Sequence, residues 1–117
     1  MTVNADDFKQ ALQYWASGVT VVTTLSKTHG LLGMTATSFS SVSMVPPQIL
    51  VCINDSALSS AGIAESGYFG VNILSAEQKQ VSNLFAGGAS EADRFASVVW
   101  SEGLEGIPIL QDSIASL

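Results

Sequence analysis

Between Lys27 and Asp55 the chain carries no Asp, Glu, Lys or Arg, and this uncharged run limits the fold more than any other feature. A run of that length raises the question of a membrane-spanning helix. However, six Ser/Thr residues fall between Thr35 and Ser43, and Pro46-Pro47 follows them. No lipid-facing helix would choose that composition, because backbone and side-chain polar groups need partners that hydrocarbon cannot supply. The run therefore reads as strands and turns of a globular domain. Leu31 to Ser38 is expected as a strand, with Gly33 marking a bulge or a close backbone approach. Ser40 to Met44 reads as a loop leading into the prolines. Gln48 to Asn54 (QILVCIN) reads as a strand that is apolar on both faces and therefore buried.

The flanking segments are patterned more simply. Asn4 with Asp6 and Asp7 is a helix start, a capping amide followed by acids on the positive end of the dipole. Phe8, Ala11, Leu12 and Trp15 repeat at helical spacing, so a helix over residues 5–17 is expected, ended by Gly18. Val19 to Leu25 is β-branched at six of seven positions and predicts a strand, antiparallel to the next across the turn at 26–30. Further on come a short helix over 59–65 broken by Gly67 and a strand over 68–73. Ser75 and Gln78 form a capping box that opens a helix with Val81, Leu84 and Phe85 on its apolar face. Ser90 to Asp93 opens another short helix, Val98 to Trp100 is a brief extended piece, and Pro108 to Leu110 follows the turns at Gly103 and Gly106. Strands at uneven spacing with helices between them predict a mainly β fold with peripheral helices, a mixed barrel. The length of 117 residues fits a single domain.

Composition excludes several functions. Ten acids against four bases give a net charge of −6, and Lys9, Lys27, Lys79 and Arg94 are scattered, so nucleic acid and anionic membrane are not expected partners. Lys79 and Arg94 could pair with a phosphate, but on helix surfaces they are expected to be solvated. Cys52 is the only cysteine and His29 the only histidine, which rules out an intrachain disulfide and any cysteine- or histidine-rich metal site. Cys52 is expected as a small buried residue. Trp15 and Trp100 are expected as core or dimer-interface anchors. No secretory signal opens the sequence, and a cytoplasmic protein is the expectation.

Side chains for acid, base or nucleophilic chemistry are scarce, and no phosphate-binding or dinucleotide glycine fingerprint is present. A cofactor is then the expected source of reactivity. The most informative segment is Gly33-Met-Thr-Ala-Thr-Ser-Phe-Ser-Ser-Val-Ser43. Its hydroxyls and amides suit a phosphate or the polar chain of a nucleotide cofactor. The same residues also serve ordinary turns and solvated strands, and the residues alone leave both readings open.

In colinear order, this segment, Ala16-Ser-Gly-Val-Thr-Val-Val-Thr24, Pro46-Pro47-Gln-Ile-Leu-Val-Cys-Ile-Asn54, Phe69-Gly-Val-Asn-Ile-Leu-Ser75, Phe85-Ala86, Asp93-Arg-Phe95 and Gly106-Ile-Pro-Ile-Leu110 resemble the flavin reductase-like family. The resemblance implies an FMN-binding split barrel and a homodimer. It implies hydride transfer from NADH or NADPH to FMN or FAD, with reduced flavin supplied to a partner monooxygenase. Carried over, Thr35, Ala36, Thr37 and Ser38 would face the ribityl chain and ring, with Ser41, Val42 and Ser43 beside the isoalloxazine. Cys52, Ile53 and Asn54 would form a second contacting segment. Ser59 would face the phosphate and Phe85 would close the pocket. No catalytic residue is assigned. Family members continue past the position of Leu117, which implies a barrel incomplete at its C-terminal side and a nicotinamide site lacking the family's Gly-Asp-His-like segment. A non-catalytic flavin-binding module, or an inactive fragment, is the alternative.

Overall fold

Strand β1 (Thr20–Ser26) is the element around which the others are arranged, and every residue in it except Leu25 is buried. β-Branched side chains suit such a doubly covered strand because their stiff rotamers pack on a pleated surface at little entropic cost. In the computed structural model, which describes residues 2–117, β1 pairs antiparallel with β2 (Gly30–Ala36) from Thr20↔Ala36 to Ser26↔Gly30. Its other edge pairs with β5 (Gly70–Ile73), and β5 pairs with β8 (Ala115–Ser116). The sheet order is β2-β1-β5-β8, all antiparallel, with β2 at one edge. Two smaller antiparallel pairs accompany it, β3 (Phe39–Met44) with β4 (Pro47–Val51) and β6 (Trp100–Glu102) with β7 (Pro108–Leu110). The expected mainly β architecture with peripheral helices is borne out, and no closed barrel forms among the described residues.

Helix α2 (Leu58–Ser66) covers one face of the sheet. There Gly62 lies so close that a Cβ would fall 2.3 Å from Leu32 Cδ1, while Gly67 ends the helix at φ 76°. Helices α3 (Lys79–Ala86) and α4 (Glu91–Ala96) cover the other face with Phe85 and Phe95. Phe85, Phe95 and Trp100 stack edge to face at 5.2 and 6.0 Å, joined by Val21, Leu74 and Leu110. Burying each such side chain contributes roughly 1.5–3 kcal/mol.

The threonines of β1 would be costly in this core without partners. Thr20, Thr23 and Thr24 donate to the carbonyls of Ala36, Pro108 and Tyr68 at 2.7, 2.7 and 2.8 Å. Asn72, fully buried in β5, donates to Val21 O at 3.1 Å and accepts from Leu110 N at 3.0 Å and Ser116 Oγ at 2.9 Å. One amide thus ties β5 to β1, β7 and β8.

Several expectations are corrected. Helix α1 spans Ala5–Leu12 and stops well short of residue 17, and Gly18 does not take the left-handed conformation. None of its residues is buried, so no packing carries the helix past the weak helix formers Tyr14 and Trp15. The segment read as a loop, Ser40 to Met44, is part of strand β3, because ladder bonds to β4 override the poor strand propensity of serine. Strand β4 ends at Val51 and is not buried: Leu50 is 54% exposed, since the β3–β4 pair stands apart from the main sheet. Cys52 is accordingly exposed. Trp15 is 75% exposed, whereas Trp100 packs against the core. Gly33 sits in regular register without a bulge, and the close-approach reading holds. The Ser75–Gln78 capping box is present, opening on a 3₁₀ turn (Ala76–Gln78) before α3. Among the described residues, no helix is long and apolar enough to cross a membrane. No group of three or more His, Cys, Asp or Glu could hold a metal ion there.

Candidate functional site

The site is built around the open edge of β2. Gly33 has no side chain, so the Phe85 ring lies against its backbone: a Cβ there would fall 2.6 Å from Phe85 Cε1. Its N–H and C=O, directed away from β1, are taken up by α4. Gly33 N donates to Glu91 Oε2 at 3.1 Å, and Arg94 Nη1 donates to Gly33 O at 2.9 Å. Glu91 Oε1 and Arg94 Nη1 close the ring at 3.1 Å. These two side chains thus stand where a neighbouring strand would pair, which also protects the sheet edge.

Beside this ring a cavity of about 420 Å³ straddles the edge, walled by Gly33 to Thr35, Phe85 and Ala86, and Glu91 and Arg94. Its remaining wall is Ala57, Leu58 and Ser59, the first residues of α2. Ala57 occupies the N-cap position and has no side chain to cap with; Ser60 N donates to Ala57 O at 3.0 Å, which leaves the amides of Leu58 and Ser59 uncapped. The side chain of Ser59 joins them from a residue only 4% exposed. Arg94 is 12% exposed, its guanidinium carbon lies 6.0 Å from the Phe85 centroid, and its Nε is buried without a partner. The start of α2, the Ser59 residue and the Arg94 side chain line one hollow, an arrangement that would cradle an anion. Burial pushes the Glu91 carboxyl above its ordinary pKa, opposed by the Gly33 N–H and by Arg94.

Of the residues singled out from sequence, Thr35, Ser59 and Phe85 line this cavity. Ala36 is buried at the end of β2. Thr35 also anchors α3, donating to Ser82 O at 2.6 Å. Thr37 and Ser38 are exposed just beyond β2, where Ser38 Oγ donates to Cys52 O at 2.7 Å and Cys52 N to Ser38 O at 3.1 Å. The two segments expected to act together therefore meet. Asn54 closes a turn by accepting from Ser56 N at 3.0 Å, and Ile53 faces a small hollow with Phe69. Ser41, Val42 and Ser43 lie out on the β3–β4 pair around a bulge, with Val42 60% exposed, and are not part of the cavity.

Sequence reasoning placed Arg94 in solvent and passed over Glu91. The signals were there: an i, i+3 acid–base pair on a short helix, and a helix start at Ala57 without a capping side chain. A larger hollow of about 590 Å³ lies at the other end of α2, between Leu25, Lys27, Glu65, Tyr68, Glu105 and Ile107. None of the expected site residues lines it, and Glu65 there already accepts from Ser26 and Thr28.

Residues 12–117 match the family model described as flavin reductase like domain. The FMN reductase (NADH) RutF of Stutzerimonas stutzeri is 38% identical over 111 residues, 95% of this chain and 63% of that protein. An NADH-dependent flavin reductase of Rhodococcus is 41% identical over 111 residues, 93% of this chain and 61% of its own length. The NADH:FAD oxidoreductase SgcE6 of Streptomyces globisporus superposes with a TM-score of 0.87 at 32% identity, covering 100% of this chain and 72% of that one. The chain spans 34%, 63% and 61% of the first three curated relatives it matches. With a family model matched from Leu12 to Leu117 and the same fold in a solved relative, the chain belongs to the flavin reductase like domain family.

Proposed function

We propose that this chain is the flavin-binding part of an NAD(P)H-dependent flavin reductase that passes reduced FMN or FAD to a partner monooxygenase. The observation that carries the reading is the anion cradle at the open edge of β2, beside the hydroxyl run of residues 35–43. Its donors fit a phosphate: the α2 amides point one way, Ser59 adds a hydroxyl, and Arg94 adds a positive charge to the wall. Thr37, Ser38, Cys52 and Asn54 form the adjoining polar surface and would receive the ribityl chain and ring edge, with Ser41 to Ser43 further along the β3–β4 pair.

When bound, flavin supplies the hydride-accepting centre, and nicotinamide the hydride. The residues of this chain bind and orient. Ser38, locked to Cys52, holds the two contacting segments in fixed register. The Phe85 ring keeps the inner wall dry. None of the residues proposed to face the ring carries a carboxyl, imidazole or amino group, consistent with a transfer that needs no proton from the protein at the hydride step. The SgcE6 relative is known in complex with NAD and FAD fragments, and BorF is the reductase component of a two-component tryptophan halogenase. A reductase component of trigonelline monooxygenase is also 42% identical over 96 residues.

A homodimer belongs to the same reading. Phe8, Leu12, Tyr14 and Trp15 of the α1 region and Val42, Met44, Val45 and Leu50 of the β3–β4 pair are all more than half exposed. Such apolar surface favours a covering partner. An exposed free thiol at Cys52 suits the reducing cytoplasm. The test is titration with FMN and FAD by fluorescence quenching, followed by steady-state NADH oxidation. Saturable quenching and flavin-dependent turnover are expected. Absence of both would refute the reading, and quenching without turnover would favour a non-catalytic flavin-binding module.

A further inference from the structure

Glu91 puts a carboxylate on the wall of the cavity that the functional reading gives to a phosphate. Its structural work needs no charge: a neutral amide oxygen would accept the Gly33 N–H equally well. The charge does something else. Glu91 pairs with Arg94, the only cation among the described residues that line the cavity, so the two cancel and the remaining attraction for an anion comes from the α2 amides and Ser59. Both side chains are largely withdrawn from water, at 24% and 12% exposure, so solvent screens this cancellation less than it would an exposed pair. Burial also opposes ionisation of Glu91, the mark of a carboxylate kept at some cost to the fold.

We propose that Glu91 is an affinity-setting residue: by neutralising Arg94 it holds the flavin phosphate weakly enough for the flavin to exchange. The inference rests on the cavity being the phosphate end of the flavin site. It makes chemical sense for a reductase whose flavin is a diffusing product, because a tight phosphate clamp would turn that product into a fixed prosthetic group.

The experiment compares FMN with riboflavin, which lacks the phosphate, by fluorescence quenching of the 117-residue chain and its E91Q, R94Q and R94K variants. Removing one negative charge from the cavity wall should tighten FMN by about tenfold in E91Q and leave riboflavin unchanged. R94Q should weaken FMN selectively, with R94K intermediate. A gain of affinity in E91Q cannot arise from misfolding, which keeps the result interpretable. If FMN selectivity falls in R94Q but E91Q binds FMN no more tightly than the parent, the inference alone is overturned. If neither variant changes the FMN-to-riboflavin ratio, the phosphate assignment falls and the inference falls with it.

Discussion

Replacing Gly33 by Ala adds one methyl group at the point where the sheet edge, the aromatic core and the cavity meet. The new Cβ would lie 2.6 and 2.8 Å from Phe85 Cε1 and Cδ1 and 3.2 Å from Phe95 Cζ. The first two separations are shorter than any van der Waals contact allows, so Phe85 or β2 must move. Phe85 is 1% exposed and stacked on Phe95 at 5.2 Å, and Glu91 and Arg94 hold the strand at its open edge. Gly33 has no positive φ, so the penalty is steric alone. Overpacking of this kind costs about 1–3 kcal/mol. For a domain near this size, each kcal/mol lowers Tm by roughly 4–8 °C. The expected loss is therefore on the order of 10 °C by thermal unfolding followed by circular dichroism. Phe85→Leu alone should also destabilise, by leaving a void. Because the two changes relieve each other, the double variant should be more stable than the sum of the single effects predicts, by about 1 kcal/mol or more. A Gly33→Ala protein with parental Tm, or strict additivity in the double variant, would refute the close-packing account.

Other expected outcomes follow from the buried polar groups and the binding surface. Asn72→Leu strands the buried Leu110 N, and should cost about 1–3 kcal/mol in urea unfolding, the desolvation penalty of the group it orphans. The Ser26 hydroxyl, then the Thr28 hydroxyl and N–H, hold the Glu65 carboxyl at about 2, down from 4.5. These donors favour the ionised form, so the stabilisation is complete above pH 4.5 and fades as pH falls towards 2. Glu65→Gln should therefore lower the urea midpoint at pH 7 and converge on the parent as pH drops through that window. Ser38→Ala breaks the bond to Cys52 O and should weaken both FMN and riboflavin, whereas Ser59→Ala should weaken FMN selectively; equal effects of the two on both ligands would count against the division of the site. Sedimentation at micromolar concentration should show a dimer, which Trp15→Glu and Met44→Glu disrupt; a well-folded monomeric parent would exclude that interface.

Where a local rule governs the backbone, the sequence alone was enough. The β-branched run became β1, the Ser75–Gln78 box and the Ser90 cap opened their helices, and Gly67 closed α2 in the left-handed conformation. Each depends on residues two to four apart. The resemblance carried the family, and of the residues it singled out Thr35, Ser59 and Phe85 line one cavity. Decisions taken across the fold were not legible. Ser40 to Ser43 are poor strand formers that pair because β4 lies beside them, and β4 is exposed because that pair leaves the main sheet. Arg94 turns inward because a glycine 61 residues away offers an unpaired carbonyl on an open edge, and Glu91 follows to take the matching N–H. An edge strand, and the hydrogen bonds it lacks, exist only once the sheet is assembled. That is why the charged half of the candidate site was decided by tertiary structure and its hydroxyl half by sequence.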